Sequence, residues 1–249
     1  MAGFQRAATP LLIHSQPKSG TTSVEEALAA ARVIVPKVHF LGERHEIVFQ
    51  RYSNTGSALP LHYHLETQLR QCLPTLSRPL RVVTMVRDPI ARVVSANFQV
   101  PQISGIDGLD GSALVARIAR NLEEKCAELR LDAWFEDEIV GVHGADLRAA
   151  GFDRDVGVGL YEITGGHLLV LRTDRLNDAI GRLSEFTGVP LALRRSNSRA
   201  HGKSADLYDR VKSHLRLPQD LIDLYYDTPW MRLFFSSAEI DSLRDKWTA

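Results

Sequence analysis

The run Pro17-Lys18-Ser19-Gly20-Thr21-Thr22 gathers an ammonium, three hydroxyls and a glycine into six consecutive positions. Leu11-Leu12-Ile13-His14 before it is short and apolar and reads as a buried strand. Ser23-Val24-Glu25-Glu26-Ala27-Leu28-Ala29-Ala30-Ala31 after it has strongly helical composition, with acids in the first turn. A tight loop feeding a helix N-terminus aims several backbone N–H groups at one point, and the helix dipole favours an anion there. Gly20 allows close approach of the backbone, Lys18 adds a mobile charge, and Ser19, Thr21 and Thr22 add hydroxyl donors. Together these residues make a phosphate cradle. It is not the nucleoside-triphosphate loop G-x-x-x-x-G-K-[ST], because the first Gly and the Gly-Lys pair are missing, and it is not G-x-G-x-x-G. The bland alternative is a strand-to-helix turn carrying a surface lysine.

The elements that must position this chemistry alternate. Val33 to Leu41 is a second strand candidate, interrupted by Pro36. His62 to Leu73 reads as a helix. Arg81 to Val86 is apolar almost throughout, as a central parallel strand should be. It runs into Arg87-Asp88-Pro89, where Asp88 suits a helix N-cap and Pro89 the first helical position of a helix over Ile90 to Gln99. Pro101 to Ser112 reads as a loop, Ala113 to Arg130 as a helix, and Trp134 to Ile139 as more helical structure. His167 to Arg172 is a further strand, and Asn177 to Phe186 a helix ending at Thr187-Gly188. Arg194 to Lys203 reads as a polar, basic loop. Helices are expected over 204–215, 219–226 and 237–247. Strands alternating with helices predict an α/β fold around a mainly parallel sheet.

The 249 residues balance 30 Lys plus Arg against 30 Asp plus Glu, with 44% hydrophobic residues. That composition excludes a disordered chain and a bulk nucleic-acid binder. No apolar run reaches the roughly 20 residues of a membrane span. Neutrality is an average over unlike blocks: residues 190–216 hold seven Lys/Arg against two Asp, and residues 121–138 hold seven acids against two bases. A neutral chain can still focus positive potential locally. Cys72 and Cys126 are too sparse for a disulfide framework and read as free thiols in a reducing compartment. The first ten residues lack a secretory signal pattern, so a cytoplasmic protein is expected. One domain is expected over 1–249, with 101–160 as a helical insertion or acceptor-side region and 194–249 as a basic loop and C-terminal helices.

Pro17-Lys18-Ser19-Gly20-Thr21-Thr22 closely resembles the 5′-phosphosulfate loop of sulfotransferases that use 3′-phosphoadenosine 5′-phosphosulfate (PAPS). A second family element, a strand ending in Arg followed by a helix carrying Ser, resembles Val83 to Ser95. The resemblance implies that Arg87 and Ser95 bind the donor's 3′-phosphate, a role that a guanidinium fork and a hydroxyl suit. Leu169 to Leu176 and Phe186-Thr187-Gly188-Val189 resemble later family elements more loosely. The C-terminal part, through Asn197, Lys203, Tyr208, Leu217-Pro218, Tyr225 and Phe234 to Ile240, is similar to a bacterial sulfotransferase-like group of capsular polysaccharide synthesis proteins. The resemblance covers roughly 10–100 and 165–190. It implies a three-layer sandwich of the P-loop NTPase-like sulfotransferase fold, PAPS as donor, no metal, and sulfuryl transfer to a hydroxyl of a carbohydrate or other small acceptor.

The family places a Glu or His base on or just after the second strand. Here Val35-Pro36-Lys37-Val38-His39-Phe40 resembles a Glu-x-His-Phe segment with Lys37 at the acid position. His39 is the first candidate, since an unperturbed imidazole titrates near neutrality. Glu43 is the second and His45 the third; a buried strand histidine bonded to backbone is the plain alternative for His39. Lys18 would stabilise charge on the sulfuryl group and on the leaving bridge oxygen. The resemblance also implies a basic loop over the nucleotide, with Arg199 and Lys203 as candidates. His62-x-His64 lacks the further ligands a zinc site needs. Two other readings compete: a nucleotide-binding module without catalysis, which Lys37 favours, and a kinase-like phosphate-loop enzyme. The missing Gly-Lys pair and the lack of a clear Mg²⁺ carboxylate after a strand count against the second.

Overall fold

A computed structural model describes residues 4, 7–54, 59, 61–126, 130–193 and 203–248. It divides into two compact units, one of residues 1–86 and 135–194, the other of residues 87–134 and 195–249.

The first unit is built on a five-stranded sheet, β1 Leu11–His14, β2 Lys37–Val38, β3 Leu80–Val86, β4 Val158–Ile163 and β5 Gly166–Arg172, in the order β2-β1-β3-β5-β4. β1 runs parallel to β2 and β3, and β3 parallel to β5; only β4 is antiparallel. This is the mainly parallel α/β architecture that alternating strands and helices predict. One sheet face carries Ile13, Val83, Met85, Leu169 and Leu171. They pack with Val24 and Leu28 of the helix Thr21–Ala30 and with Leu176, Ala179 and Leu183 of the helix Leu176–Thr187. Alternation along the strands sends Leu12 and His14 to the opposite face. From β1 the chain crosses to β2 on one side and then to β3 on the other. The carboxyl ends of β1 and β3 therefore form a switch point, where open α/β sheets bind ligands.

Several elements differ from the sequence expectation. β2 is only two residues long, because Pro36 has no N–H to donate and the chain turns away after Val38. β4 is absent from that expectation. Its buried and exposed residues alternate, as in a half-covered edge strand, and Thr164-Gly165 closes a hairpin onto β5, with Gly165 left-handed. Arg44–Asn54 is an additional helix, and residues 135–140 form a π-helix.

The second unit is helical. Pro89–Asn97, Gly111–Glu124 and Lys203–His214 pack on one another, and Gln219–Tyr226, Pro229–Phe234 and Ser237–Asp245 form a further group. Asp88 caps the first of these helices, accepting from Ile90 and Ala91 N–H, with Pro89 at the first position. Residues 101–104 form a short helix inside the expected loop. Thr228 caps Pro229–Phe234, a helix the sequence pattern left out. Both cysteines are free and buried. Among the described residues no helix is long and apolar enough to cross a membrane.

Candidate active site

The loop after β1 is held from inside. Ser15 is fully buried, and its hydroxyl accepts from Met85 N–H at 3.0 Å and lies 2.7 Å from Ser19 Oγ. Ser19 Oγ donates to the Gln16 carbonyl at 2.6 Å and is also fully buried. This corrects one expectation: the Ser19 hydroxyl faces the interior, so Ser19 can offer a ligand only its backbone N–H. Thr21 is buried as well, whereas Thr22 is exposed and Lys18 partly exposed.

Lys18 (φ 66°) and Gly20 (φ 90°) are both left-handed and flank Ser19. Alternating hands of this kind turn successive N–H groups towards one side and form an anion-binding concavity. A lysine in this conformation is strained, and such strain persists only where the surroundings impose it. At Gly20 a Cβ would lie 2.6 Å from Thr173 Cγ2, so the position is closed to side chains on space as well as on φ. Gly20 is also the N-cap of Thr21–Ala30 and supplies no side-chain cap. Thr173, a residue the sequence reading did not single out, fastens the loop: its hydroxyl reaches the Ser19 carbonyl and the Val86 carbonyl, the latter at 2.9 Å.

Beside this loop, β2 delivers His39. Its Nδ1 meets the Ser15 carbonyl at 2.6 Å. A carbonyl only accepts, so Nδ1 carries the proton and the lone pair sits on Nε2. Burial pushes the imidazole down to about 3, against the raising effect of the Ser15 bond; His62, Lys37 and His14 push it further down. The residue is half-buried, and its ring packs edge-on to His62, with centroids 5.4 Å apart. Of the alternative bases, Glu43 is exposed in the turn before Arg44–Asn54. His45 is buried against Tyr63, whose hydroxyl donates to the His45 carbonyl. Lys37 pairs with Glu25 rather than taking the place of an acid beside His39.

Two acids that sequence reasoning missed stand here. Glu66, from the helix Leu61–Cys72, accepts from the N–H groups of His39 and Phe40. Glu138, from the π-helix, accepts from those of Leu41 and Gly42. Both are fully buried. Burial raises Glu66 to about 7, against the two amide bonds, and the nearby Glu138 charge adds to the rise. Burial also pushes Glu138 up, but His14, with Nε2 3.3 Å from Oε2, and the two amides outweigh it and hold that carboxyl below its ordinary value. His14 in turn contacts His143, Nδ1 to Nε2, at 2.8 Å. No local pattern marks Glu66 or Glu138, because each meets its partners across a long sequence separation. Among the described residues no cluster of three or more His, Cys, Asp or Glu could hold a metal ion.

In the second unit Arg87 and Ser95 are both partly exposed and bracket the first turns of Pro89–Asn97. Arg87 Nη2 donates to the Tyr208 hydroxyl at 3.4 Å, so two residues singled out far apart in sequence come together. Tyr208 also packs edge-on to Phe98. Lys203 opens the helix Lys203–His214. Arg199, and the basic loop around it, lie outside the described residues. Comparison with protein-family models, with curated proteins and with solved structures finds no match.

Proposed function

We propose that this protein is a sulfotransferase that moves a sulfuryl group from PAPS to a hydroxyl of a carbohydrate or other small acceptor, on a P-loop-like sulfotransferase fold with helices layered on a mainly parallel sheet. The observation that carries the proposal is the loop after β1. It combines left-handed Lys18 and Gly20 on either side of Ser19, a glycine N-cap with no side-chain cap, and a partly exposed lysine at the carboxyl end of a central strand. These features suit a phosphate ester.

In this reading the loop amides hold the 5′-phosphate; a role in 3′-phosphate binding for Arg87 and Ser95 is what the family resemblance implies. Transfer is an in-line displacement. The acceptor oxygen forms a bond to sulfur while the bond from sulfur to the bridging phosphate oxygen breaks, and that electron pair leaves with adenosine 3′,5′-bisphosphate. Lys18 offsets charge on the sulfuryl oxygens and on the bridge oxygen. The acceptor's proton passes to His39 Nε2, which the Ser15 bond keeps in the accepting tautomer. Positioning and charge stabilisation dominate such transfers, by analogy with phosphoryl transfer.

A second reading, a nucleotide-binding module without catalysis, draws on the Lys37–Glu25 pair and the low basicity of His39. Calorimetric titration with adenosine 3′,5′-bisphosphate and with ATP plus Mg²⁺, followed by a labelled-sulfate transfer assay, separates the readings. The sulfotransferase reading expects bisphosphate binding and transfer. Bisphosphate binding with no transfer to any hydroxyl acceptor favours the module, and binding of ATP but not the bisphosphate rejects the sulfotransferase reading.

A further inference from the structure

The segment His39-Phe40-Leu41-Gly42 leaves β2 with four successive backbone N–H groups, and two buried carboxylates take all four. Glu66 Oε1 receives His39 N–H at 2.8 Å and Phe40 N–H at 3.2 Å. Glu138 Oε2 receives Leu41 N–H at 2.6 Å and Gly42 N–H at 2.9 Å. Buried backbone donors are normally paired with other backbone groups. Here the sheet ends, and two acids from separate elements take over.

Burying two carboxylates is unfavourable unless their hydrogen bonds are made, so a site that retains both invites a reason beyond stability. The surroundings supply one. Glu138 projects from a π-helix, a geometry that recurs at functional sites. Gly42 lets the backbone come close: a Cβ there would lie 3.1 Å from the Asp137 carbonyl and 3.2 Å from Glu138 Oε1. Arg70 donates to the Gly42 carbonyl and closes the far end of the segment. The same Glu138 oxygen lies 3.3 Å from His14, the residue immediately before Ser15. Ser15 then links both halves of the candidate site. Its carbonyl fixes the His39 ring, and its hydroxyl contacts Ser19 inside the phosphate loop.

We infer that Glu66 and Glu138 are a positioning clamp for His39: by holding the four amides of residues 39–42 they fix where the imidazole stands against the loop that follows β1, and so where it meets an acceptor hydroxyl. The clamp itself is a statement about hydrogen bonds; its consequence for rate rests on the sulfuryl-transfer reading. Neither acid touches the reacting atoms.

Amide hydrogen exchange and imidazole ¹⁵N spectroscopy on the full chain test the clamp without any substrate. The expected wild-type result is slow exchange at residues 39–42, with His39 protonated on Nδ1 and bare on Nε2. Glu66→Ala should speed exchange at residues 39 and 40 at least tenfold more than at β3, and should mix the His39 tautomers. Glu138→Ala should do the same at residues 41 and 42. Glu66→Gln and Glu138→Gln, which keep an accepting oxygen, should restore protection and also serve if the alanine variants do not fold. In a sulfate-transfer assay, Glu66→Ala should lower kcat about tenfold or more with the donor KM little changed, and Glu66→Gln should recover most of it. Wild-type His39 protonated on Nε2, alanine variants whose exchange rises equally throughout the first unit, or glutamine variants that restore no protection would each overturn the clamp. If the wild type transfers no sulfate while the exchange and tautomer results hold, the clamp stands and the sulfotransferase reading falls.

Discussion

At the scale of single residues the loop after β1 makes two demands. The first is charge. Lys18 is the only Lys or Arg within residues 11–22, so under the proposed sulfotransferase reading Lys18→Ala should lower kcat for sulfate transfer by about 10²–10³-fold, the usual loss when one donor to developing charge is removed. Arg87→Ala should instead weaken bisphosphate binding by roughly 1.5–3 kcal/mol, the typical contribution of a charged hydrogen bond, as read by calorimetry. The second demand is conformation. Gly20→Ala must adopt φ 90° and place its methyl 2.6 Å from Thr173 Cγ2. A melting curve should show a loss of about 1–3 kcal/mol, the scale of backbone strain at such a position. Adding Thr173→Ser removes the clashing methyl and should recover only part of that loss, because the strained φ remains.

Elements whose cause is local could be read from the chain, and those fixed by distant partners could not. The strand-loop-helix around Gly20 and the strand running into Asp88-Pro89 announce themselves by apolar runs and capping residues, and both stand where expected. β4 was hidden because an edge strand shows only alternation, which the buried Gly159 and the exposed Leu160 blur. Glu66 and Glu138 were hidden for a stronger reason. Their partners at residues 39–42 lie 26 to 97 positions away, and nothing in either local sequence marks a carboxylate that will turn inward. The N-cap of Pro89–Asn97 gives a test at this scale. Asp88 Oδ1 accepts from Ile90 N–H, from Ala91 N–H and from the Tyr226 hydroxyl at 2.5 Å. Asp88→Ala should therefore cost at least the ~1–2 kcal/mol of a lost cap, and more because Tyr226 loses its acceptor. Asp88→Asn keeps an accepting oxygen and should cost much less; urea denaturation of the two variants reads the difference.

For the molecule as a whole, the pair beside β2 makes stability depend on pH in a way that a single substitution exposes. Glu66 is raised from 4.5 to about 7, so the folded protein keeps a proton that the unfolded chain has already released. Its contribution is fully present below pH 4.5 and is lost as pH rises towards 7. His39 is lowered from 6.5 to about 3, so the unfolded chain binds a proton that the folded protein refuses. Its contribution is fully present above pH 6.5 and is lost as pH falls towards 3. Between pH 4.5 and 6.5 the two slopes oppose one another, each of about 1.4 kcal/mol per pH unit. His62, Lys37 and His14, which act on His39, and Glu138, which acts on Glu66, are present in wild type and variant alike. Glu66→Gln removes only the falling slope. Its unfolding free energy relative to wild type, from urea titrations at several pH values, should therefore climb by about 2–3 kcal/mol from pH 4.5 to 6.5. His39→Asn should show the mirror image, and the double variant should return to the wild-type slope. A Glu66→Gln curve parallel to wild type across this window would mean that Glu66 titrates in the folded protein as it does in the unfolded chain, and would leave its hydrogen bonds to the amides of residues 39 and 40 to be judged by exchange alone.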